Sequence, residues 1–136
     1  MSNTGKIDVT FDGGESYRIG VRGHELLVDQ PTETGGDDRG PTPVELFVAS
    51  LASCIAYYAG RYLERHDLPR DGLQVTAEFA MADDRPARVS RVRIRVVAPG
   101  SLTDTRREAL RAVVHHCTVH NSLSRPPEVS IDVIPA

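Results

Sequence analysis

The sequence predicts an α+β domain organised around one central core helix. Short alternating segments separated by glycine turns fill the first third of the chain. One long, nearly uncharged helical stretch follows, and a strand pair, an amphipathic helix and a last alternating segment close the chain. With 136 residues the chain is expected to form a single domain over 1–136, small enough to gain from self-association. Apolar residues make up 40% and charged residues 26%, as in soluble globular proteins. The net charge of -3 gives no purchase on nucleic acid or an anionic membrane surface.

Lys6–Phe11 alternates in polarity and ends at the turn signal Asp12-Gly13-Gly14. Tyr17–Val21 reads as a second strand, broken by Arg22-Gly23, and His24–Asp29 as a third, so an antiparallel meander is expected. Gln30–Gly40, with Pro31, Gly35, Gly36 and Gly40, is a loop that delivers the chain into the long helix.

That helix is predicted over residues 43–66. Thr42 is placed to cap it, Pro43 suits its first turn, and Glu45 stands three residues after the threonine, the spacing of a capping box. Leu46, Phe47, Leu51, Ile55, Tyr58, Tyr62 and Leu63 recur at helical spacing, while Val48, Ala49, Ala52 and Ala56 fill much of the other side. A helix apolar nearly all round is expected to be buried, and its small residues let another helix lie close. The charge-free stretch between Glu45 and Arg61 is short for a bilayer span and contains Ser50 and Ser53. The segment Met1–Lys6 lacks the apolar core of a signal peptide, so a cytoplasmic protein with reduced thiols is expected.

The helix should stop near Leu68-Pro69. Leu73–Met81 and Val89–Val96 read as a strand pair, with Arg91, Arg93 and Arg95 on its solvated face. Ser101 or Thr103 can cap a helix from about Asp104 to Cys117, with Leu110, Val113, Val114 and Cys117 as its apolar stripe. Glu128–Ile134 alternates as a closing strand.

The chemistry lies in two cysteines. A cysteine inside an apolar helix is commonly just a small hydrophobe. Cys54, however, has Ser50 and Ser53 beside it and Glu45 about two and a half turns upstream. Arginines in the preceding loop and strands could hold a thiolate. Cys117 belongs to the run His115-His116-Cys117-Thr118-Val119-His120, whose donors would suit zinc or copper. No further cysteine or carboxylate recurs at a metal-site spacing, so no metal and no cofactor is expected. A cysteine–histidine pair for acyl transfer lacks a visible orienting residue.

Taken together, Gly35-Gly36, Gly40-Pro41-Thr42-Pro43, Glu45-Leu46, Leu51-Ala52-Ser53-Cys54 and Cys117-Thr118-Val119-His120-Asn121-Ser122-Leu123 resemble the OsmC/Ohr family of thiol-dependent hydroperoxide reductases. The resemblance runs over nearly the whole chain. It implies an intertwined homodimer in which a sheet from both chains wraps paired central helices. It also implies that Cys54 is the peroxidatic and Cys117 the resolving cysteine, with Glu45 pairing an arginine that holds the thiolate. In the family's organic-peroxide branch that arginine follows the Gly-Gly of the first hairpin, where this chain has Glu15. Arg18, Arg22 and Arg39 are the candidates to replace it, Arg18 first because it is nearest in the hairpin. The second motif also reads Cys117-Thr118 where the family's enzymes have Cys-Pro. Both departures are similar to an OsmC-like subgroup.

The expected activity is reduction of organic hydroperoxides by Cys54 and Cys117, with recycling by an external dithiol and Phe47, Leu51 and Tyr57 receiving the apolar tail. The alternative is an OsmC-like dimer that binds a small molecule and has lost fast peroxidase chemistry.

Overall fold

The computed structural model describes residues 4–136. Its elements run β1 (Asp8–Phe11), β2 (Tyr17–Val21), β3 (His24–Val28), a 3₁₀ turn (Thr32–Thr34), α1 (Pro43–Arg65), β4 (Gln74–Met81), β5 (Val89–Val97), α2 (Asp104–His115) and α3 (Thr118–Ser124). Helices and two separate antiparallel sheets make this an α+β fold. The chain divides into two compact units at Phe47 and Val48.

In the first unit β1, β2 and β3 form the expected meander, although β1 begins at Asp8 and not at Lys6. Its register opposes Val9 to Ile19 and Ile19 to Leu26, and likewise Phe11 to Tyr17 and Tyr17 to Val28. These six side chains therefore share one face of the sheet. Val9, Phe11, Tyr17 and Leu26 on that face are exposed.

The loop after β3 is built around the buried carboxylate of Asp29, which accepts from the backbone N–H groups of Gln30 (2.7 Å), Arg39 (3.1 Å) and Asp37 (3.3 Å). Burial pushes this carboxyl up, but the N–H donors from Gln30, Arg39 and Asp37 outweigh it and hold the group below its ordinary value of 3.8. A Cβ on Gly36 would lie 2.0 Å from the Gln30 carbonyl oxygen, and one on Gly40 2.2 Å from that of Leu27. Both glycines are thus required by backbone packed against backbone.

The second unit takes the rest of α1, the β4–β5 hairpin, α2 and α3. Val75, Ala77 and Phe79 oppose Val96, Ile94 and Val92 on one face of the hairpin. Arg91, Arg93 and Arg95 occupy the other and are exposed, as the alternation requires. Ala59, Tyr62 and Leu63 of α1 pack with Leu110 of α2 into one core cluster. Thr103 caps α2 by accepting from Arg106 N–H at 3.2 Å.

Three expectations are corrected. The helix over 43–66 ends at Arg65 and is not buried all round. It buries one stripe (Val48, Leu51, Ile55, Ala59, Tyr62 and Leu63), while Val44, Phe47 and Tyr57 stay exposed. By length and composition this 23-residue helix could cross a membrane, yet the stripe makes it the core helix of the second unit. The closing strand over 128–134 is absent: among the described residues the segment pairs with no strand, and it leaves Val129, Ile131 and Val133 exposed. An alternating segment becomes a strand only where a neighbouring edge accepts its backbone hydrogen bonds. The second helix also ends earlier than expected, at His115, because Cys117 starts α3 as its N-cap.

Candidate active site

The second unit brings both cysteines into one apolar cluster. Leu51 and Ile55 of α1 surround fully buried Cys117, and half-buried Cys54, Val75, Val92, Ile94 and Val119 pack against them. The i, i+3 and i+4 spacing puts Leu51, Cys54, Ile55 and Tyr58 on neighbouring positions of α1. Both cysteines are free thiols.

Cys117 owes its place to a change of chain direction. At φ -67° and ψ 155° it interrupts α2 and caps α3, with its Sγ accepting from His120 N–H at 3.4 Å. Burial pushes the Cys117 thiol above its ordinary value of 9.0. The His120 N–H opposes that rise, whereas the neighbouring Cys54 thiol adds to it. A direct link between the elements that carry the two thiols lies alongside: the hydroxyls of Tyr58 and Thr118 are 2.8 Å apart.

A cavity of about 740 Å³ adjoins this cluster. Leu51, Ile55, Val92, Ile94, Leu110 and Val114 form apolar walls, and Arg107, Arg111, His115 and His120 also line it. Such a space suits an apolar ligand with a few polar anchors. Of the residues expected to receive an apolar tail, Leu51 lines this cavity. Phe47 and Tyr57 are exposed on α1, at 44% and 60%, and the Tyr57 ring packs edge-on against Tyr58 at 5.6 Å. The basic lining was legible only in part. Arg107, Arg111 and His115 recur at i, i+4 and so form one stripe of α2.

Glu45 and Arg18 belong to the first unit, and each has partners there. Glu45 forms the capping box with Thr42. Arg18 donates to Asp12 at 3.2 Å and to Glu25 at 3.0 Å, and Arg39 reaches the same Asp12 at 3.1 Å. The hydrogen bond from Arg18, with the charges of Arg18 and Arg39, holds the Asp12 carboxyl below its ordinary value against the opposing effect of burial. Arg22 occupies the β2–β3 turn at φ 47°.

The histidines are arranged for packing. His115 and His120 meet edge to face at 4.7 Å, and His120 Nδ1 is hydrogen-bonded to the His115 carbonyl. Among the described residues no three His, Cys, Asp or Glu side chains are grouped to hold a metal ion.

The family model for OsmC-like proteins matches residues 35–132, most of the chain and both cysteine motifs. The chain belongs to the OsmC-like family. Its fold is similar to that of a Psychrobacter arcticus 273-4 protein described as a candidate osmotic stress induced and detoxification response protein, at 24% identity and a TM-score of 0.80 over 90% of both chains. It is also similar to an organic hydroperoxide resistance protein OsmC of Legionella pneumophila, at 21% identity and a TM-score of 0.66 over 88% of both chains. The organic hydroperoxide resistance protein OhrB of Bacillus subtilis gives 16% identity and a TM-score of 0.61, over 88% of this chain and 89% of that one. No curated protein matches the chain. At these identities the structural likeness establishes the OsmC-like fold.

Proposed function

We propose that this OsmC-like protein is a thiol-dependent reductase of organic hydroperoxides in oxidative stress defence, working in the cytoplasm as a homodimer. The observation that carries the reading is the packing of Cys54 and Cys117, both reduced, in one apolar cluster beside a large cavity with apolar walls and a basic rim of Arg107, Arg111, His115 and His120. Family membership and the hydroperoxide resistance proteins among its structural neighbours point the same way.

In this reading the Cys54 thiolate attacks the distal oxygen of the hydroperoxide. The O–O bond breaks, the alkoxide leaves and takes a proton to become the alcohol, and Cys54 becomes a sulfenic acid. The Cys117 sulfur then displaces hydroxide from Cys54, which leaves as water, and an intramolecular disulfide forms. An external dithiol restores both thiols at the cost of its own oxidation. The cavity receives the apolar part of the peroxide, with Leu51 in its wall and Phe47 and Tyr57 completing the apolar surround in the dimer. Arg18 and Glu45 act as the cation and its holder that favour the Cys54 thiolate.

Dimer formation is supported by apolar surface that the single chain leaves bare. The apolar face of the β1–β3 sheet is exposed at Val9, Phe11, Tyr17 and Leu26, and the alternating tail is exposed at Ile131 (82%) and Val133 (93%). Exposed apolar rows together with an unpaired alternating segment are what a second copy would cover.

A second reading, a dimer that binds a small molecule with little peroxidase activity, is favoured by one observation. The charges of Arg18 are taken by Asp12 and Glu25. Steady-state consumption of an alkyl hydroperoxide in the presence of a dithiol separates the two. The reductase turns over, whereas the binding protein does not and shows only saturable ligand binding.

A further inference from the structure

We propose that Tyr58 and Thr118 form a positioning clamp that holds Cys117 beside Cys54 while the disulfide closes. This rests on the reductase reading and adds two residues that act on its second step alone. Tyr58 lies four residues after Cys54 on α1, one turn on and on the same side. Thr118 follows Cys117 directly and is the first residue of α3. Their hydroxyls are 2.8 Å apart, so a single hydrogen bond joins the helix bearing one thiol to the helix capped by the other.

The need for such a link follows from the position of the Cys117 sulfur. That Sγ is the N-cap acceptor of α3, taking the His120 N–H. Forming the S–S bond draws electron density from the sulfur and so weakens this cap, and α3 has only seven residues with which to hold its own start. The backbone bond from Asn121 N–H to the Cys117 carbonyl (2.9 Å) keeps α3 wound, but it does not tie α3 to α1. The Tyr58–Thr118 bond does. Where a proline would fix the backbone by its ring, this chain has a threonine whose hydroxyl is fixed from outside.

The clamp does not touch peroxide, so formation of the Cys54 sulfenic acid is independent of it. It acts when the Cys117 sulfur forms the S–S bond as the Cys54 S–O bond breaks and the released hydroxide takes a proton to become water. Because Thr118 is exposed, the hydrogen bond competes with water and its effect is modest.

The test uses the full-length protein, its Tyr58→Phe, Thr118→Val and Thr118→Ser variants and the Tyr58→Phe/Thr118→Val double variant. Each receives one equivalent of cumene hydroperoxide. Sulfenic acid is trapped with a cyclic 1,3-dione and the disulfide is followed by mass spectrometry. The clamp predicts unchanged sulfenic acid formation, disulfide closure about fivefold slower in Tyr58→Phe and Thr118→Val, no further slowing in the double variant, and recovery in Thr118→Ser. A second arm equilibrates each protein with oxidised and reduced glutathione and reads the Cys54–Cys117 disulfide fraction, where the same variants should disfavour the disulfide by about fivefold. Closure and equilibrium both at wild-type values in the Phe and Val variants would overturn the clamp. If wild-type protein forms no sulfenic acid, the reductase reading fails, and the glutathione arm still decides for or against the clamp.

Discussion

Thr42 and Glu45 exchange hydrogen bonds across the first turn of α1: Thr42 N–H donates to Glu45 Oε1 at 2.9 Å, and Glu45 N–H to Thr42 Oγ1 at 3.0 Å. This capping box satisfies two backbone donors at the start of the helix that later carries Cys54. The residue proposed to hold an activating cation is thus also a helix cap, and substitutions can separate the two roles.

Glu45→Gln keeps an acceptor for Thr42 N–H but removes the charge, whereas Glu45→Ala removes both. We expect Glu45→Ala to lower stability by about 1 kcal/mol, within the usual range for a lost cap. Glu45→Gln should retain most of that stability and still slow oxidation of Cys54 at least tenfold, about 1.4 kcal/mol of barrier. Thermal denaturation and single-turnover oxidation give the two readouts. A Gln variant that reacts at the wild-type rate would reduce Glu45 to a cap.

Arg18→Ala is expected to slow Cys54 oxidation at least tenfold, with Arg22→Ala and Arg39→Ala following if either supplies the cation instead. The same variant has a pH signature. Arg18, and to a lesser degree Arg39, hold the Asp12 carboxyl below its ordinary 3.8, so the stability they confer is present above that value and is lost as pH falls through the lowered one. Arg18→Ala should therefore flatten the acid limb of the stability curve below about pH 4. If none of the three arginine variants alters the oxidation rate, a substitute arginine does not activate Cys54.

The raised Cys117 thiol makes an opposite prediction at high pH. Its folded-state value lies above the ordinary 9.0, so its favourable contribution is complete below that pH and disappears as pH rises through the raised value. Stability should fall above about pH 9 in wild type and less steeply in Cys117→Ala. At pH 8 iodoacetamide should modify half-buried Cys54 well before fully buried Cys117, as peptide mapping over time would reveal. Faster labelling of Cys117 would contradict its burial.

Self-association is testable through the tail. Ile131 is 82% exposed in the single chain, and Ile131→Lys leaves the packed clusters of both units untouched. Sedimentation at micromolar concentration should give a dimer for wild type and a shift toward monomer for the variant. A wild-type monomer would remove the dimer from the proposal.

Much of this architecture was legible from short-range chemistry. The Thr42–Glu45 box, the Thr103 cap, the meander turn at Asp12-Gly13-Gly14 and the arginine face of β5 all follow from local patterns, and each is present. Glu128–Ile134 carries a strand pattern, yet alternation encodes only a preferred face, and pairing requires an edge that none of the described residues offers it. The exposed side of α1 has the same origin, because an all-apolar helix needs partners on every side and one chain supplies them on one. At the site, sequence motifs singled out Cys54 and Cys117. The Tyr58–Thr118 bond could not be read, since it joins residues sixty positions apart through a fold that only packing determines.

The most direct test of the account is mass spectrometry of the reduced protein after one equivalent of organic hydroperoxide, run beside Cys117→Ser. A Cys54–Cys117 disulfide requires Cα atoms within about 7 Å of each other. The account predicts that wild type loses both thiols together and gains an intramolecular disulfide, with one equivalent of alcohol released, while Cys117→Ser stops at a trapped sulfenic acid on Cys54. If Cys54 remains an unmodified thiol in both proteins, the account is contradicted.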